Sequence, residues 1–257
     1  MENEGHAREG EQLDDLQLKG LKILQKHQGF RYGMDAVLLA DFARVHPRDR
    51  VADFGTGTGI LPLLLYGRGK GSCFDALEIQ ADMAEMASRT MALNGLTEEV
   101  HVHALPVERA EEVISPCSLD AIVCNPPYGA PGTTLKNPSD ALRLARHQDG
   151  NGLLGWFRMA HRLLRGKGRM AIIYPAPRML EAMNLMQQAH LPPKRFRLVY
   201  PAQDKPANLV LVEAVKDARP MLHPEPPLIV YEPDGSPTAE LRRIYHVPEV
   251  TDSGTQS

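Results

Sequence analysis

Val51-Ala52-Asp53-Phe54-Gly55-Thr56-Gly57-Thr58-Gly59-Ile60 is the stretch on which the fold of this chain turns. Val51 to Phe54 is short and apolar apart from Asp53, three glycines follow at every second position, and an apolar run continues from Ile60 to Tyr66. A strand, a glycine loop and a helix in that order make the first βα unit of a nucleotide-binding fold. Glycines 55, 57 and 59 let the backbone turn sharply and let a ligand come close where a Cβ would collide. Asp53 falls where the strand ends, at the carboxyl edge on which open α/β sheets bind ligands. The Gly-x-Gly-x-Gly spacing differs from the Gly-x-Gly-x-x-Gly fingerprint of dehydrogenases, which weighs against a nicotinamide cofactor.

The next strand extends the pattern. Cys73-Phe74-Asp75-Ala76-Leu77-Glu78 ends in an acid 19 residues beyond Gly59, where a carboxylate can accept hydrogen bonds from both ribose hydroxyls of an adenosine. Glu78 is the candidate ribose ligand. A third signal is Val123-Cys124-Asn125-Pro126-Pro127-Tyr128, an apolar strand running straight into Asn-Pro-Pro-Tyr. This tetrapeptide suits methylation of a planar amine such as the exocyclic nitrogen of adenine, whose lone pair is delocalised into the ring. The Asn125 side-chain oxygen and the Pro126 carbonyl, accepting the amine hydrogens, would favour a pyramidal nitrogen and stabilise the positive charge that arrives with the methyl group. Pro126 and Pro127 fix their own φ and bias the preceding residue toward extended backbone, so the acceptors are aimed before substrate enters. Tyr128 supplies a flat face for stacking an extruded base.

In this order, Asp53 to Gly59, Glu78-Ile79-Gln80 and Asn125 to Tyr128 resemble the motifs of class I S-adenosylmethionine-dependent methyltransferases. More narrowly, Gly29-Phe30-Arg31-Tyr32-Gly33-Met34-Asp35-Ala36-Val37-Leu38-Leu39-Ala40 and Lys205-Pro206-Ala207-Asn208-Leu209-Val210-Leu211 resemble the bacterial adenine-N6 methyltransferases that modify valine tRNA, and the likeness runs over roughly residues 20 to 247. The resemblance implies S-adenosylmethionine as cofactor. Its methionine part would lie against Asp53, Gly55, Thr56, Gly57 and Gly59, its ribose against Glu78 with Ile79 alongside, and Asn125 would touch both cofactor and target base. The implied substrate is the adenine 3' of the anticodon of a valine tRNA. One position departs from the family pattern: where an Asp often meets the cofactor adenine amine, this chain has Pro106. The adenine is then left to backbone groups near Leu105 and Val107, or to Glu108.

The remaining composition agrees with a single α/β enzyme domain. The chain has 257 residues, 43% of them hydrophobic, and a net charge of −3. Its charge is uneven: 143–205 carries twelve Lys or Arg against three Asp or Glu. That excess predicts a positive face able to hold RNA phosphates, with Arg31, Arg146, His147, Lys194, Arg195, Arg197 and Lys205 as candidates. Cys73, Cys117 and Cys124 lack paired spacing and suit reduced buried thiols, and the histidines form no metal-ligand set. Residues 1–17, acidic at their start and without an apolar core segment, are expected to be disordered, and the protein is expected to be cytoplasmic.

Strands are expected near 50–54, 73–78, 100–104, 120–124, 168–174, 192–200 and 208–215, with helices near 36–44, 58–67, 80–94, 151–165 and 176–190. This predicts a Rossmann-like, seven-stranded, mostly parallel sheet with an antiparallel edge pair and helices on both faces. A strand-like lead-in and helix over 18–48 precede the core at 49–216, Asp35 is expected to cap that helix, and 129–150 is expected to be a mobile substrate loop. Six prolines between 220 and 237 predict an extended arm in a C-terminal extension, 217–257. Rival readings are a protein-glutamine N5 methyltransferase, an N6-adenine methyltransferase acting on ribosomal RNA or DNA, and a non-catalytic nucleotide- or RNA-binding protein.

Overall fold

The computed structural model describes residues 7–27, 33–127 and 151–245, with the backbone alone at residue 151. Tyr128, Arg31, Arg146, His147 and the segment 129–150 lie outside the described residues.

A hairpin comes first: β1 (Glu11–Asp15) pairs antiparallel with β2 (Lys22–Lys26), Leu13 facing Leu24. This corrects the expectation of disorder through residue 17. The hairpin is held by groups far along the chain, on α3 (Ala81–Leu93) and its cap. Asn94 Nδ2 donates to Lys22 O at 2.7 Å, Lys22 N donates to Asn94 Oδ1 at 2.9 Å, and Arg89 bonds both oxygens of Glu11. No sequence-local signal announces such partners.

The main sheet is built from β3 (Arg50–Phe54), β4 (Cys73–Leu77), β5 (Val100–His103), β6 (Leu119–Cys124), β7 (Leu164–Pro175), β8 (Pro193–Ala202), β9 (Leu209–Val215), β10 (His223–Pro224) and β11 (Leu228–Tyr231). Its order is β10-β8-β9-β7-β6-β3-β4-β5, with β11 also on β8. Strands β5, β4, β3, β6 and β7 run parallel, and β9 lies antiparallel between β7 and β8. The class is as expected, but among the described residues nine strands replace the expected seven. The antiparallel pair is not at the edge, because β10 and β11 of the proline-rich extension run parallel along β8. Proline is tolerated there because an edge strand need not donate every backbone N–H to the ladder.

Alternate residues of the parallel strands enter two different cores. Val51, Val123 and Ile173 pack on one face with α1 (Met34–Phe42), α2 (Ile60–Gly67) and α6 (Ala239–Ile244). Ala52, Phe54, Ile122, Cys124 and Ile172 pack on the other with α4 (Asn151–Leu163) and α5 (Met179–Gln188). Both faces are thereby covered, which is why these strands read as near-continuous apolar runs. Helix α1 begins at Met34 after Gly33, so Asp35 lies inside the first turn and is not the cap; its charge still favours the helix N-terminus. Among the cysteines, Cys124 is buried and Cys73 half-buried, but Cys117 is exposed, against expectation. Among the described residues no helix is long and apolar enough to cross a membrane.

Candidate active site

The sheet registers bring three separated motifs to one edge. Asp53 sits opposite Ala76 of β4 and Val123 of β6, and Phe54 opposite Leu77 and Cys124. The loop at Gly55, Glu78 and Asn125 therefore leave the sheet side by side. From β3 the chain builds outward through β4 and β5, then returns to place β6 on the opposite side of β3. That reversal opens a crevice at the carboxyl ends of β3 and β6, where open α/β sheets take ligands.

The glycine loop is tied to the next strand. Gly55 N and Thr56 N both donate to Leu77 O at 2.9 Å, and Gly57 N donates to Glu78 Oε2 at 2.9 Å. Glu78 Oε1 accepts from Gln80 N at 2.9 Å and from Gln80 Nε2 at 3.3 Å. Glu78 is 2% exposed, and its Oε2, with a single donor, keeps a lone pair for a ligand hydroxyl. Gly55 and Gly59 have φ of +77° and +87°, the left-handed region that favours glycine. Protein atoms also lie behind them. A Cβ on Gly59 would strike Met91 and approach Ala87, both on α3, and one on Gly55 would lie 3.2 Å from Trp156. Positive φ favours glycine at both positions, while a Cβ there would press on Trp156 or displace the flexible end of Met91.

Buried oxygens without partners mark the crevice. Among the described residues, both carboxylate oxygens of Asp53, the hydroxyls of Thr56 and Thr58, and Asn125 Oδ1 are buried and accept or donate no hydrogen bond. Native interiors leave few such groups, so a cluster of them on two neighbouring strand ends is a place built for a ligand that brings donors or positive charge. Burial pushes the Asp53 carboxyl from 3.8 up to about 7; the Thr56 hydroxyl, close but outside hydrogen-bond geometry, opposes this in part, and the charge of Glu78 adds to it.

The sign of that shift yields a prediction. The unfolded chain ionises Asp53 near 3.8 and the folded chain only near 7, so the free protein is expected to lose stability as pH rises between these values. Asp53→Asn is expected to remove this loss, gaining on the parent by about 2 kcal/mol between pH 5 and 8. Urea unfolding at both pH values checks it, and a pH-independent difference between the two proteins would refute it.

The other sequence candidates divide. Asn125 is half-buried, Pro126 buried and Pro127 half-buried, directly after β6. Ile79 is 43% exposed beside buried Glu78, an apolar surface at the rim of the crevice. Leu105 is half-buried, whereas the side chain of Val107 is in the core with Ala110 and Ile114, leaving only its backbone to a ligand. Trp156 was missed. On α4, it bounds the space a side chain at Gly55 would need and donates from Nε1 to Glu108 Oε1 at 3.1 Å.

The proposed RNA-facing residues fare unevenly. Lys205 is exposed beside Asp204, and Lys194 Nζ donates to Arg219 O. Arg195 and Arg197 must be corrected. The Arg195 side chain is 7% exposed and bound to Glu213, Glu225 and the Phe42 carbonyl. Arg197 is committed to Pro226 O, Pro227 O and Glu240 of the C-terminal extension. Arg162 and Arg165 pair with Glu111 and Asp120, outside the basic segment, so part of its charge excess is cancelled in space.

Comparison with known proteins sets this geometry in context. The model of the methyltransferase small domain matches residues 33–190. The chain is 29% identical over 212 residues to the tRNA1(Val) (adenine(37)-N6)-methyltransferase of Parabacteroides distasonis, covering 82% of this chain and 86% of that protein. It is 31% identical over 183 residues to the protein of the same name from Aeromonas hydrophila, covering 71% and 75%. The crystal structure of a predicted O-methyltransferase from Agrobacterium tumefaciens superposes with a TM-score of 0.66 at 23% identity, over 83% of this chain and 96% of that one. A SAM-dependent O-methyltransferase from Thermotoga maritima gives 0.51 at 21%, over 76% and 69%. At these identities the two structures speak to the Rossmann-like fold alone.

Proposed function

We propose, because this chain belongs to the methyltransferase small-domain family and within it to the tRNA1(Val) (adenine(37)-N6)-methyltransferases, that it methylates N6 of an adenine in tRNA using S-adenosylmethionine. The observation that carries this reading is the cluster of unpartnered buried oxygens, Asn125 Oδ1 among them, at the carboxyl ends of β3 and β6. The substrate assigned is the adenine 3' of the anticodon of a valine tRNA, and the names of the relatives give adenine 37 of tRNA1(Val).

The residues present fit the cofactor. Asp53, buried and without a donor, would face its positive end, with Thr56 and Thr58 offering hydroxyls beside it. Glu78 would take the ribose hydroxyls, and Ile79 would cover the sugar–base edge with apolar surface. When bound, the cofactor supplies a methyl group activated on a sulfonium sulfur. Asn125 Oδ1 and the Pro126 carbonyl would each accept an N–H of the target amine, holding its lone pair toward the crevice and stabilising the charge that arrives on nitrogen. The amine would give up its proton to water only after the N–C bond had formed and the sulfonium–methyl bond had broken, so no strong base is required at the site. The chain contributes position and charge complementarity.

The test is transfer of a labelled methyl group to unmodified tRNA, followed by nucleoside analysis and mapping. N6-methyladenosine 3' of the valine anticodon is the expected product; label in glutamine of a protein substrate and none in tRNA would overturn the reading. For the ribose assignment, Glu78→Gln is expected to weaken S-adenosylhomocysteine binding by about tenfold or more, with kcat at saturating cofactor changed far less. Calorimetric titration decides it, and an unchanged Kd would remove Glu78 from the cofactor site.

A further inference from the structure

Lys216 is a buried cation that meets no carboxylate among the described residues. It is 7% exposed, and its Nζ donates to Leu164 O at 2.7 Å and lies 3.6 Å from Cys117 Sγ. The adjacent Asp217 is turned to His161 Nε2 at 3.1 Å, and Asp120 is taken by Arg165. Buried ammonium groups ordinarily find an acid, so one aimed at a sulfur is an uncommon commitment. Cys117 is held in place as well. It lies in the left-handed region at φ +55°, its N donates to Arg162 O at 3.0 Å, and its Sγ donates to the same oxygen at 3.7 Å. The residue is nevertheless exposed, so small solutes reach the sulfur while the amine behind it is screened. Cys117 just precedes β6 and Lys216 just follows the antiparallel β9, which places both at the amino edge of the sheet, opposite the crevice.

We propose that Cys117 and Lys216 form an oxidative modification site, at which a peroxide joins the cysteine sulfur to the lysine nitrogen through an S–N bond. The thiol sulfur attacks one peroxide oxygen, the O–O bond breaks, and a sulfenic acid and water result, the sulfur oxidised and the peroxide reduced. Lys216 gives one proton to solvent, and its nitrogen lone pair then attacks the sulfur. The S–O bond breaks with its electron pair on oxygen, and that oxygen takes a proton from the nitrogen and leaves as water. The product is a sulfenamide, the class of product that sulfenic acids give with a nearby nitrogen. A thiol would compete, but Cys124 lies at the far end of β6 and Cys73 on β4, with β3 between. Nitrogen is therefore the nucleophile at hand. The bridge ties the loop before β6 to the end of β9, 99 positions apart in the chain.

In the experiment the full chain, without RNA or cofactor, is treated with a few equivalents of hydrogen peroxide, the remaining thiols are blocked, and the peptides are mapped by tandem mass spectrometry. The expected product is a peptide pair joined at Cys117 and Lys216, lighter than the sum of its parts by the mass of H2 and separated again by dithiothreitol. Because the bridge closes a long loop, Tm of the oxidised chain is expected to rise by about 5 °C or more. Lys216→Arg keeps a cation and donors for Leu164 O but has no amine to attack the sulfur. Its Cys117 sulfenic acid is expected to persist, taking up dimedone about fivefold more than the parent does, with no rise in Tm. A parent that ends as sulfenic acid, or as a disulfide between two chains, without the joined peptide would overturn the proposal. Equal dimedone uptake by the parent and Lys216→Arg would overturn it too, and should the variant fold poorly the parent's peptide map decides alone.

Discussion

Asn125→Ala is expected to lower kcat for tRNA methylation by about 10²- to 10³-fold while leaving S-adenosylhomocysteine affinity within about threefold. The size follows from what the side chain does. Its Oδ1 is buried without a partner, so it is aimed at the crevice before substrate enters and loses no competing bond on binding. Its position follows from the pairing of Cys124 with Phe54, which sets the start of the Asn-Pro-Pro turn beside the glycine loop. A preorganised polar group that meets charge developing in the transition state acts mainly on kcat, as oxyanion-hole donors do, at about 3–4 kcal/mol per group. Single-turnover methyl transfer at saturating cofactor, paired with calorimetric titration, separates the two quantities. If affinity and rate fell together, Asn125 would belong to the cofactor site and the target amine would need another acceptor.

Arg195→Ala is expected to destabilise the fold by about 3–5 kcal/mol, lowering Tm by roughly 10 °C in a domain of this size. Arg195 Nε and Nη2 reach the two oxygens of Glu213 at 3.0 Å each, Nη1 reaches Glu225 at 2.8 Å, and the guanidinium carbon lies 3.7 Å from the centroid of the Phe42 ring. Burial alone would lower the Arg195 pKa, but the two carboxylates more than offset it and hold it above its ordinary value. Removing the cation strands Glu213, which is 2% exposed, as an uncompensated buried charge. Replacing both members by apolar residues, Arg195→Met with Glu213→Leu, is expected to recover most of the loss, because the cost lies in the unpaired charge. Were Arg195 an RNA contact instead, Ala would weaken tRNA binding and leave Tm unchanged, and that result would restore it to the RNA face.

The two residues show where a linear reading succeeds and where it fails. Around Asp53, Gly55, Gly57, Gly59 and Asn125-Pro126-Pro127 the backbone was legible because it is local: an apolar strand ending in a polar residue, glycines that permit positive φ, prolines that stiffen the next turn. The place of Glu78 at the end of β4, bonded to Gly57, was legible from its spacing, since the length of a βα unit sets where the second strand must end. Arg195 was not, because in Lys194-Arg195-Phe196-Arg197 it is indistinguishable from its neighbours. Its fate depends on Glu213 and Glu225, and that of Arg197 on Glu240. Trp156 is in the same position, passed over because nothing near it in the chain says that its nitrogen meets Glu108. So are β1, held by α3, and β10 and β11, whose prolines argue against a helix but do not say that the arm returns to β8.

Along the chain, then, the order of strands and helices, the glycine loop and the Asn-Pro-Pro turn are fixed by residues within a few positions of one another. Folding in three dimensions settles which cations become buried braces and that Gly59 faces Met91 and Ala87 of α3. Backbone conformation answers to neighbours in sequence, whereas the pairing of buried charges and the filling of a pocket wall answer to groups tens of residues apart. Those groups meet only once both faces of the sheet are packed.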